Sequence, residues 1–471
     1  MTRGWSEIVQ PLRHRPVLRP PARPQPRRGE TSEAFNKTYG ITSTRPSSTS
    51  PSGRSAPRRC TSGSRAGGRM LRGGRLGAAV LVRLQERIAA RQVRRRGHAA
   101  RARVRTRAGG RRSSTPAPGH AQSAGIVDLT AFAMFDLEGP GALDTVQRAC
   151  VAQCDVPVGK VVYTPVLDAN GGFVSDLTVM RLGEDRFRVV TGGAHGMVDK
   201  KWFGDLIADP GTTLTDHTAD VTTIGIWGPR ARDILSRLTD DDVSHEGFGF
   251  GSCREIQVGP AGARQPVLAS RISYVGELGW ELYVPMSGGL ALWDALHQAG
   301  AAYGAVPVGI GVYGTTGRIE KGYRAFGAEL DAERTIVEAG MQRPKVKAQD
   351  FVGRDAYLAQ RDAAPATVLC TMTVDDHTSA SGVRRYMLGG EPILRRDGST
   401  LTDGHGHHPY VTTAGSAPSL GKHVLMAYLP PAEAVIGNQL AVSYMEELYP
   451  VTVGSIDATS LFDSANERIR A

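Results

Sequence analysis

One boundary constrains this 471-residue chain more than any motif: near residue 120 its charge changes sign. Residues 1–120 hold 27 Arg and one Lys against four Glu and no Asp, a net +24. Residues 121–471 hold 29 Lys and Arg against 42 Asp and Glu, a net −13. The overall +11 describes neither part. An acidic globular body is expected behind a strongly basic head. Runs such as Pro20-Pro21-Ala22-Arg23-Pro24 and Gly67-Gly68-Arg69 bury too little apolar surface to offset chain entropy. Only Leu76 to Val93 has the pattern of a basic amphipathic helix. Three readings compete for the head. It is a nucleic-acid arm with arginines on phosphates, an Arg- and Ser-rich transit peptide, or a disordered or mistranslated stretch. An Arg-to-Lys ratio of 27 to 1 fits GC-rich DNA read in a wrong frame. The third reading is the expectation, and nucleic acid is not an expected partner.

At about 100–200 residues per domain, the chain has room for two to four domains. No apolar run approaches the roughly 18–20 residues of a membrane span, which excludes a helical membrane protein. Five cysteines, Cys60, Cys150, Cys154, Cys253 and Cys370, have no paired spacing. That excludes a disulfide scaffold and a zinc ribbon and points to a reducing, cytoplasmic setting. From about Ser123 the texture becomes regular. Strands are expected at Val161–Leu167, Phe173–Leu182, Arg186–Thr191, Thr222–Trp227, Ala269–Ser273 and Trp280–Val284. Helices are expected at Leu143–Val151, Met197–Ile207, Arg230–Leu238, Leu290–Ala302 and Gly317–Tyr323. After about Ala366 almost everything reads as strand, through Leu440–Tyr444 and Pro450–Val453. The fold class is α+β, ending in a small β-barrel domain. The expected divisions are 1–120, 121–366 and 367–471.

The candidate chemistry sits in a few places. Asp168-Ala169-Asn170-Gly171-Gly172 carries the Asn-Gly hairpin signal. In the strand after it, Asp176 and Thr178 are two apart and share a face among apolar neighbours. A carboxylate there has a partner or purpose, or lies on a solvated face; the residues leave the two even. Tyr274 and Glu281 flank the turn Gly276–Gly279, where a hairpin would bring them together. That carboxylate could accept two N–H donors from an amidine-like heterocycle, with tyrosine beside the ring. An ordinary cross-strand pair is the plainer reading. Arg318 either grips an anionic ligand tail or makes a salt bridge with Glu320 or another acid. Gly309-Ile310-Gly311-Val312-Tyr313-Gly314 matches the dinucleotide fingerprint by letter, but no βαβ succession follows. His405-Gly406-His407-His408 reads as a solvated turn, not a metal site. Cys150 and Cys154 read as buried small residues.

In order along the chain stand Pro157-Val158-Gly159-Lys160 with Val161–Pro165, Gly171-Gly172 with Ser175-Asp176-Leu177, and Trp227-Gly228-Pro229-Arg230-Ala231. Tyr274-Val275-Gly276-Glu277-Leu278-Gly279-Trp280-Glu281-Leu282-Tyr283 and Arg318-Ile319-Glu320-Lys321-Gly322-Tyr323-Arg324 complete the series. Together they resemble the glycine-cleavage T-protein (aminomethyltransferase) superfamily over roughly residues 123–471. The wording at 274–281 and 320–324, Gly389-Gly390-Glu391-Pro392-Ile393 and the ending Glu467-Arg468-Ile469-Arg470 resemble the folate-binding half of dimethylglycine and sarcosine dehydrogenases or oxidases. The resemblance implies a three-lobed folate-binding fold with a C-terminal barrel and tetrahydrofolate in the central opening. It implies Asp176 as the catalytic carboxylate, with Thr178, Tyr274, Glu281 and Arg318 as cofactor-binding residues. The implied enzyme is a tetrahydrofolate-dependent one-carbon transferase. Its substrate would be an N-methylated amine or the derived iminium, made by a flavoprotein partner from sarcosine or dimethylglycine. The alternative is a non-catalytic folate-binding or regulatory subunit on the same fold. Relatives with a flavin domain carry several hundred residues before this region, and Ser32–Ile41 resembles the end of such a domain. A truncated or frame-shifted gene is therefore expected. The segment Tyr313-Gly314-Thr315-Thr316-Gly317 departs from the family, which has an acid and leucines before the arginine.

Overall fold

The computed structural model describes residues 123–342, 345–457 and 459–471. The basic head expected over 1–120 lies outside them. The chain runs β1 (Gly125–Asp128), β2 (Ala133–Glu138), α1 (Ala142–Ala149), β3 (Val161–Leu167), β4 (Phe173–Gly183), β5 (Arg186–Thr191), α2 (Gly196–Asp205) and β6 (Thr213–Asp216). Then come β7 (Val221–Trp227), α3 (Ala231–Leu235), β8 (Cys253–Val258), β9 (Gln265–Ser270), β10 (Gly279–Pro285), α4 (Gly289–Gly300) and β11 (Val306–Pro307). Two short helices, α5 (Arg318–Glu320) and α6 (Arg354–Asp362), lead to β12 (Val368–Val374), β13 (Ile393–Arg395), β14 (Val411–Ala417), β15 (Lys422–Leu429), β16 (Gln439–Tyr444) and β17 (Glu447–Ile456). The last helix is α7 (Glu467–Arg470).

These strands form three sheets, one to a lobe. The first has the order β3-β4-β5-β2-β6, and the second β11-β1-β7-β10-β9-β8. The third has the order β13-β16-β17-β12-β15-β14. The third closes on itself just before its edge strands. Pro392 bridges Tyr410, and backbone bonds run from Ile393 N to Pro409 O (2.9 Å) and from Val411 N to Glu391 O (2.8 Å). Closure removes the exposed edges of an open sheet. Each lobe has its own apolar core, as alternation along the strands requires. Helices α1 and α2 cover the first sheet through Val146, Ala149 and Phe203, against Phe135, Phe187 and Val189. Asp144 in the first turn of α1 and Arg148 in its last turn complement the helix dipole. Leu292, Trp293 and Leu296 of α4 cover the second sheet against Trp280, Leu282 and Ile226. Met134, Met180, Val190, Cys253 and Tyr283 seal the first sheet against the second.

Candidate functional site

The hairpin β3–β4 turns at Asp168, whose Oδ1 accepts from the amides of Asn170 (2.8 Å) and Gly172 (3.1 Å). This local capture is what makes Asp-rich turns stable. In the register that follows, Pro165 faces Asp176 and Tyr163 faces Thr178. Tyr163 therefore stands diagonal to Asp176, and its O–H donates to Asp176 Oδ2 at 2.7 Å. Asp176 and Thr178 are half-buried on this face, while Ser175 and Leu177 point the other way and are buried. Behind the strand, Ser175 and Thr191 donate to Asp199 Oδ2 at 3.0 and 2.5 Å. Burial raises the Asp176 pKa to about 6; the Asp199 charge adds to the rise, while Tyr163 and His195 oppose it. Burial likewise raises Asp199 to about 6.

On β10 the side chains of Trp280, Leu282 and Val284 enter the core of the second sheet. Alternation turns Glu281 and Tyr283 to the opposite face. Glu281 is 3% exposed. Its carboxyl is hydrogen-bonded by the Tyr283 and Tyr313 hydroxyls and forms no ion pair among the described residues. Burial raises it to about 7. Tyr313 is the hub of the site. It lies in a π-helical turn, Val312–Gly317, a backbone form that recurs at functional sites. Its ring centroid is 5.0 Å from Tyr274, 5.6 Å from Trp227 and 5.8 Å from Phe132. Its hydroxyl feels the charges of Glu281, Tyr274 and Asp176 together. Tyr274 stacks on Tyr323 at 5.9 Å and donates to the Arg324 carbonyl.

Asp176, Tyr274 and Glu281 thus meet around Tyr313. They do so by a route other than the expected one. Residues 271–278 are an irregular loop, not the tip of a tight hairpin, and Tyr274 reaches Glu281 through the Tyr313 ring. Thr178 lies on the Asp176 face, one residue pair along the strand. The sequence reading missed Tyr163, Tyr283 and Tyr313. Cross-strand register could have found Tyr163, and strand alternation Tyr283. Tyr313 was seen only as a letter in a glycine fingerprint and as the start of the segment that departs from the family pattern; the strand before it, β11, is two residues long.

Of the two expectations for Arg318, a ligand tail or a salt bridge with an acid, the structure shows the salt bridge. Arg318 is 2% exposed, and its guanidinium is committed to protein acceptors. Nε donates to Gly314 O (2.7 Å), Nη1 to Glu329 Oε2 (2.7 Å) and Tyr323 O (2.9 Å), and Nη2 to Thr413 Oγ1 (2.8 Å). It ties the π-helical turn to the barrel rather than reaching for a ligand tail. His405 Nε2 lies 2.7 Å from Glu338 Oε1. Among the described residues no group of three or more His, Cys, Asp or Glu is placed to hold a metal.

A cavity of about 910 Å³ opens elsewhere, between the first two sheets, with Lys160, Arg188, Arg254 and Phe248 among its walls. Asp176, Tyr274, Glu281 and Tyr313 do not line it, and of the site residues Tyr283 alone reaches its wall. Of its arginines, Arg181 pairs with Asp155, Arg186 with Asp136 and Glu138, and Arg188 with Asp136, while Arg254 donates to the Gly247 and Asp242 carbonyls. The aromatic cluster is the stronger candidate, because Glu281 is buried there with phenols as its hydrogen-bond partners and no ion pair among the described residues.

Residues 119–347 match the GCVT N-terminal domain, and residues 370–456 the glycine cleavage T-protein C-terminal barrel domain. An aminomethyltransferase of Saccharopolyspora erythraea is 31% identical over 334 residues, 70% of this chain and 85% of that protein. The mitochondrial dimethylglycine dehydrogenase of Rattus norvegicus is 27% identical over 70% of this chain but only 37% of its own length. The crystal structure of aminomethyltransferase T from Bartonella henselae shares the fold, with a TM-score of 0.61 at 21% identity, over 71% of this chain and 86% of that one. The three-lobed fold with its C-terminal barrel is thus an aminomethyltransferase fold. The chain belongs to the glycine cleavage T-protein family. No helix among the described residues is long and apolar enough to cross a membrane.

Proposed function

We propose that this chain binds tetrahydrofolate in the cluster around Tyr313 and catalyses one-carbon transfer to it. The observation that carries the reading is Glu281, a buried carboxyl held by phenols and by no cation. A buried carboxylate calls for donors, and the N–H edge of a pterin supplies two. The flanking rings of Tyr274 and Tyr313 suit a flat heterocycle. The residues present therefore fit the group.

Bound there, tetrahydrofolate supplies the nucleophilic nitrogen that takes up a carbon at the formaldehyde oxidation level. Glu281 orients the heterocycle, and Tyr283 and Tyr313 hold the Glu281 carboxyl in place. Asp176 is the catalytic residue. With a pKa of about 6 it is mostly ionised at neutral pH, so it stabilises a cationic carbon donor, and it remains basic enough to accept a proton during attack. Tyr163 holds its rotamer, and Thr178 extends the same polar face. Arg318 is not part of this site. The carbon donor is an N-methyl glycine, such as sarcosine or dimethylglycine, oxidised to its iminium by a separate flavoprotein. The likeness to a dimethylglycine dehydrogenase supports this. The test supplies such a flavoprotein with N-methyl glycine and tetrahydrofolate and follows methylene transfer. Turnover that needs this chain is expected; transfer at the same rate without it would refute the proposal.

A further inference from the structure

Two segments beside the proposed site interlock, and a third grips them from outside. Gly276 has φ +77°, and a Cβ built there would lie 2.4 Å from Lys321 Cγ. Glycine alone accepts both conditions easily. The 273–279 turn therefore rests on the stem of Lys321, while Tyr274 of the same turn stacks on Tyr323. The third segment is 459–470. Lys321 is 1% exposed, and its Nζ donates to the carbonyls of Asp463 (2.6 Å) and Phe462 (3.3 Å). Asp463 also caps α7, its carboxylate accepting from the amides of Glu467 (3.0 Å) and Arg468 (3.3 Å). That short helix carries Arg468, whose Nη2 lies 3.0 Å from Glu277 Oε1. Ile469 of α7 is buried, and fully buried Arg271 donates to the carbonyls of Arg470 (3.3 Å) and Ala471 (2.8 Å). The segment after the barrel thus returns to the second lobe and closes on the turn that presents Tyr274.

We propose that Arg468 is a positioning residue for the folate site: its ion pair with Glu277 fixes the 273–279 turn and so holds Tyr274 against Tyr313. The inference rests on the folate reading above. Glu277 is buried, with Arg468 and Lys321 as the cations near it and Glu320 and Asp463 as the nearby acids. Removing Arg468 breaks the charge-assisted contact that ties Glu277 to α7, and the buried carboxyl then takes up a proton and no longer anchors the turn. The turn loosens, and the ring it carries loses its register with Tyr313.

The experiment uses the full chain with Arg468→Ala, Arg468→Lys and Glu277→Gln. Hydrogen exchange of the 273–279 amides is measured without ligand, and tetrahydrofolate affinity by fluorescence titration. In Arg468→Ala the turn amides are expected to exchange about tenfold faster, with the β15 amides of the barrel unchanged. Its tetrahydrofolate affinity is expected to fall about tenfold. Arg468→Lys should recover most of both. Should Arg468→Ala not fold, Glu277→Gln, which removes the same ion pair while Lys321 keeps Asp463 as its partner, must show the same faster exchange confined to the turn. Unchanged turn exchange, or faster exchange spread evenly over the whole chain, overturns the inference. If the wild-type chain binds no tetrahydrofolate, the folate reading fails by itself, and the exchange data still decide whether Arg468 fixes the turn.

Discussion

Two side chains decide the chemistry at the residue scale. Asp176 carries the charge, and Tyr163, at 2.7 Å, sets its direction and restrains its pKa. Asp176→Asn keeps the shape and removes both the charge and the base. It is expected to slow methylene transfer by about a hundredfold or more, the low end of what a positioned base supplies. Tetrahydrofolate binding should stay within a few-fold; single-turnover kinetics beside binding titrations separate the two. Normal turnover by a folded Asp176→Asn would contradict the catalytic assignment and favour the alternative of a non-catalytic folate-binding or regulatory subunit. Tyr163→Phe has a signed consequence. The hydroxyl stabilises the ionised carboxylate, so its loss lets the Asp176 pKa climb above about 6. The acid limb of the pH–rate profile should move to higher pH, and a limb that stays put or moves lower contradicts the assignment.

The hairpin β3–β4 is the element that places Asp176, and its docking depends on one glycine. Gly172 pairs with Thr335 in an isolated bridge, and a Cβ on it would lie 2.3 Å from the Ala332 carbonyl oxygen. A backbone atom cannot swing aside. Gly172→Ala is therefore expected to cost about 1–3 kcal/mol, as overpacking does, and to lower Tm by several degrees in a thermal melt. An unchanged Tm would mean the hairpin is held elsewhere. The hairpin was also the most legible part of the sequence, because a turn signal and strand alternation are local. Val161–Leu167 and Arg186–Thr191 fall where the pattern placed them. The second sheet was less legible. A strand expected over 269–273 runs instead from Gln265 to Ser270. The chain leaves the sheet at Arg271, whose guanidinium is drawn to Phe248 O (2.6 Å) and to the distant 470–471 carbonyls. Arg318 stayed open between a ligand contact and a salt bridge for the same reason: its partners Glu329 and Thr413 lie 11 and 95 residues away. Tyr313 was hidden because a π-helical turn has no sequence period of its own.

Across the whole molecule, six carboxyls among the described residues are raised above their ordinary values by burial: Asp176 and Asp199 to about 6, Glu277 and Glu281 to about 7, and Glu320 and Asp331 in the same direction. Through these groups the folded chain binds more protons than the unfolded chain between about pH 4.5 and 7, so their contribution to stability falls as pH rises through that window; His195 and His423, lowered by burial, act in the opposite sense but are fewer. Asp136, Asp216 and Glu338 are shifted down, so their contribution is lost only at more acid pH. The ligand-free chain should melt at a lower temperature at pH 7.5 than at pH 5.5, and Glu281→Gln should flatten that slope. A Tm that rises over the same interval would contradict the burial of these groups. The apolar cores of the described residues lie between Ala124 and Ile469. A chain starting at residue 121 is therefore expected to melt as the full chain does, and a lower Tm would give the head a part in folding. The central claim is that the carboxyl of Glu281 reads the folate ring. A calorimetric titration of tetrahydrofolate into the wild-type chain and Glu281→Gln tests it most directly. One site per chain is expected, weakened in the variant by about ten- to a hundredfold, the value of one charge-assisted hydrogen-bond partner. Equal affinity in the two chains, or no binding to the wild type, would contradict the account.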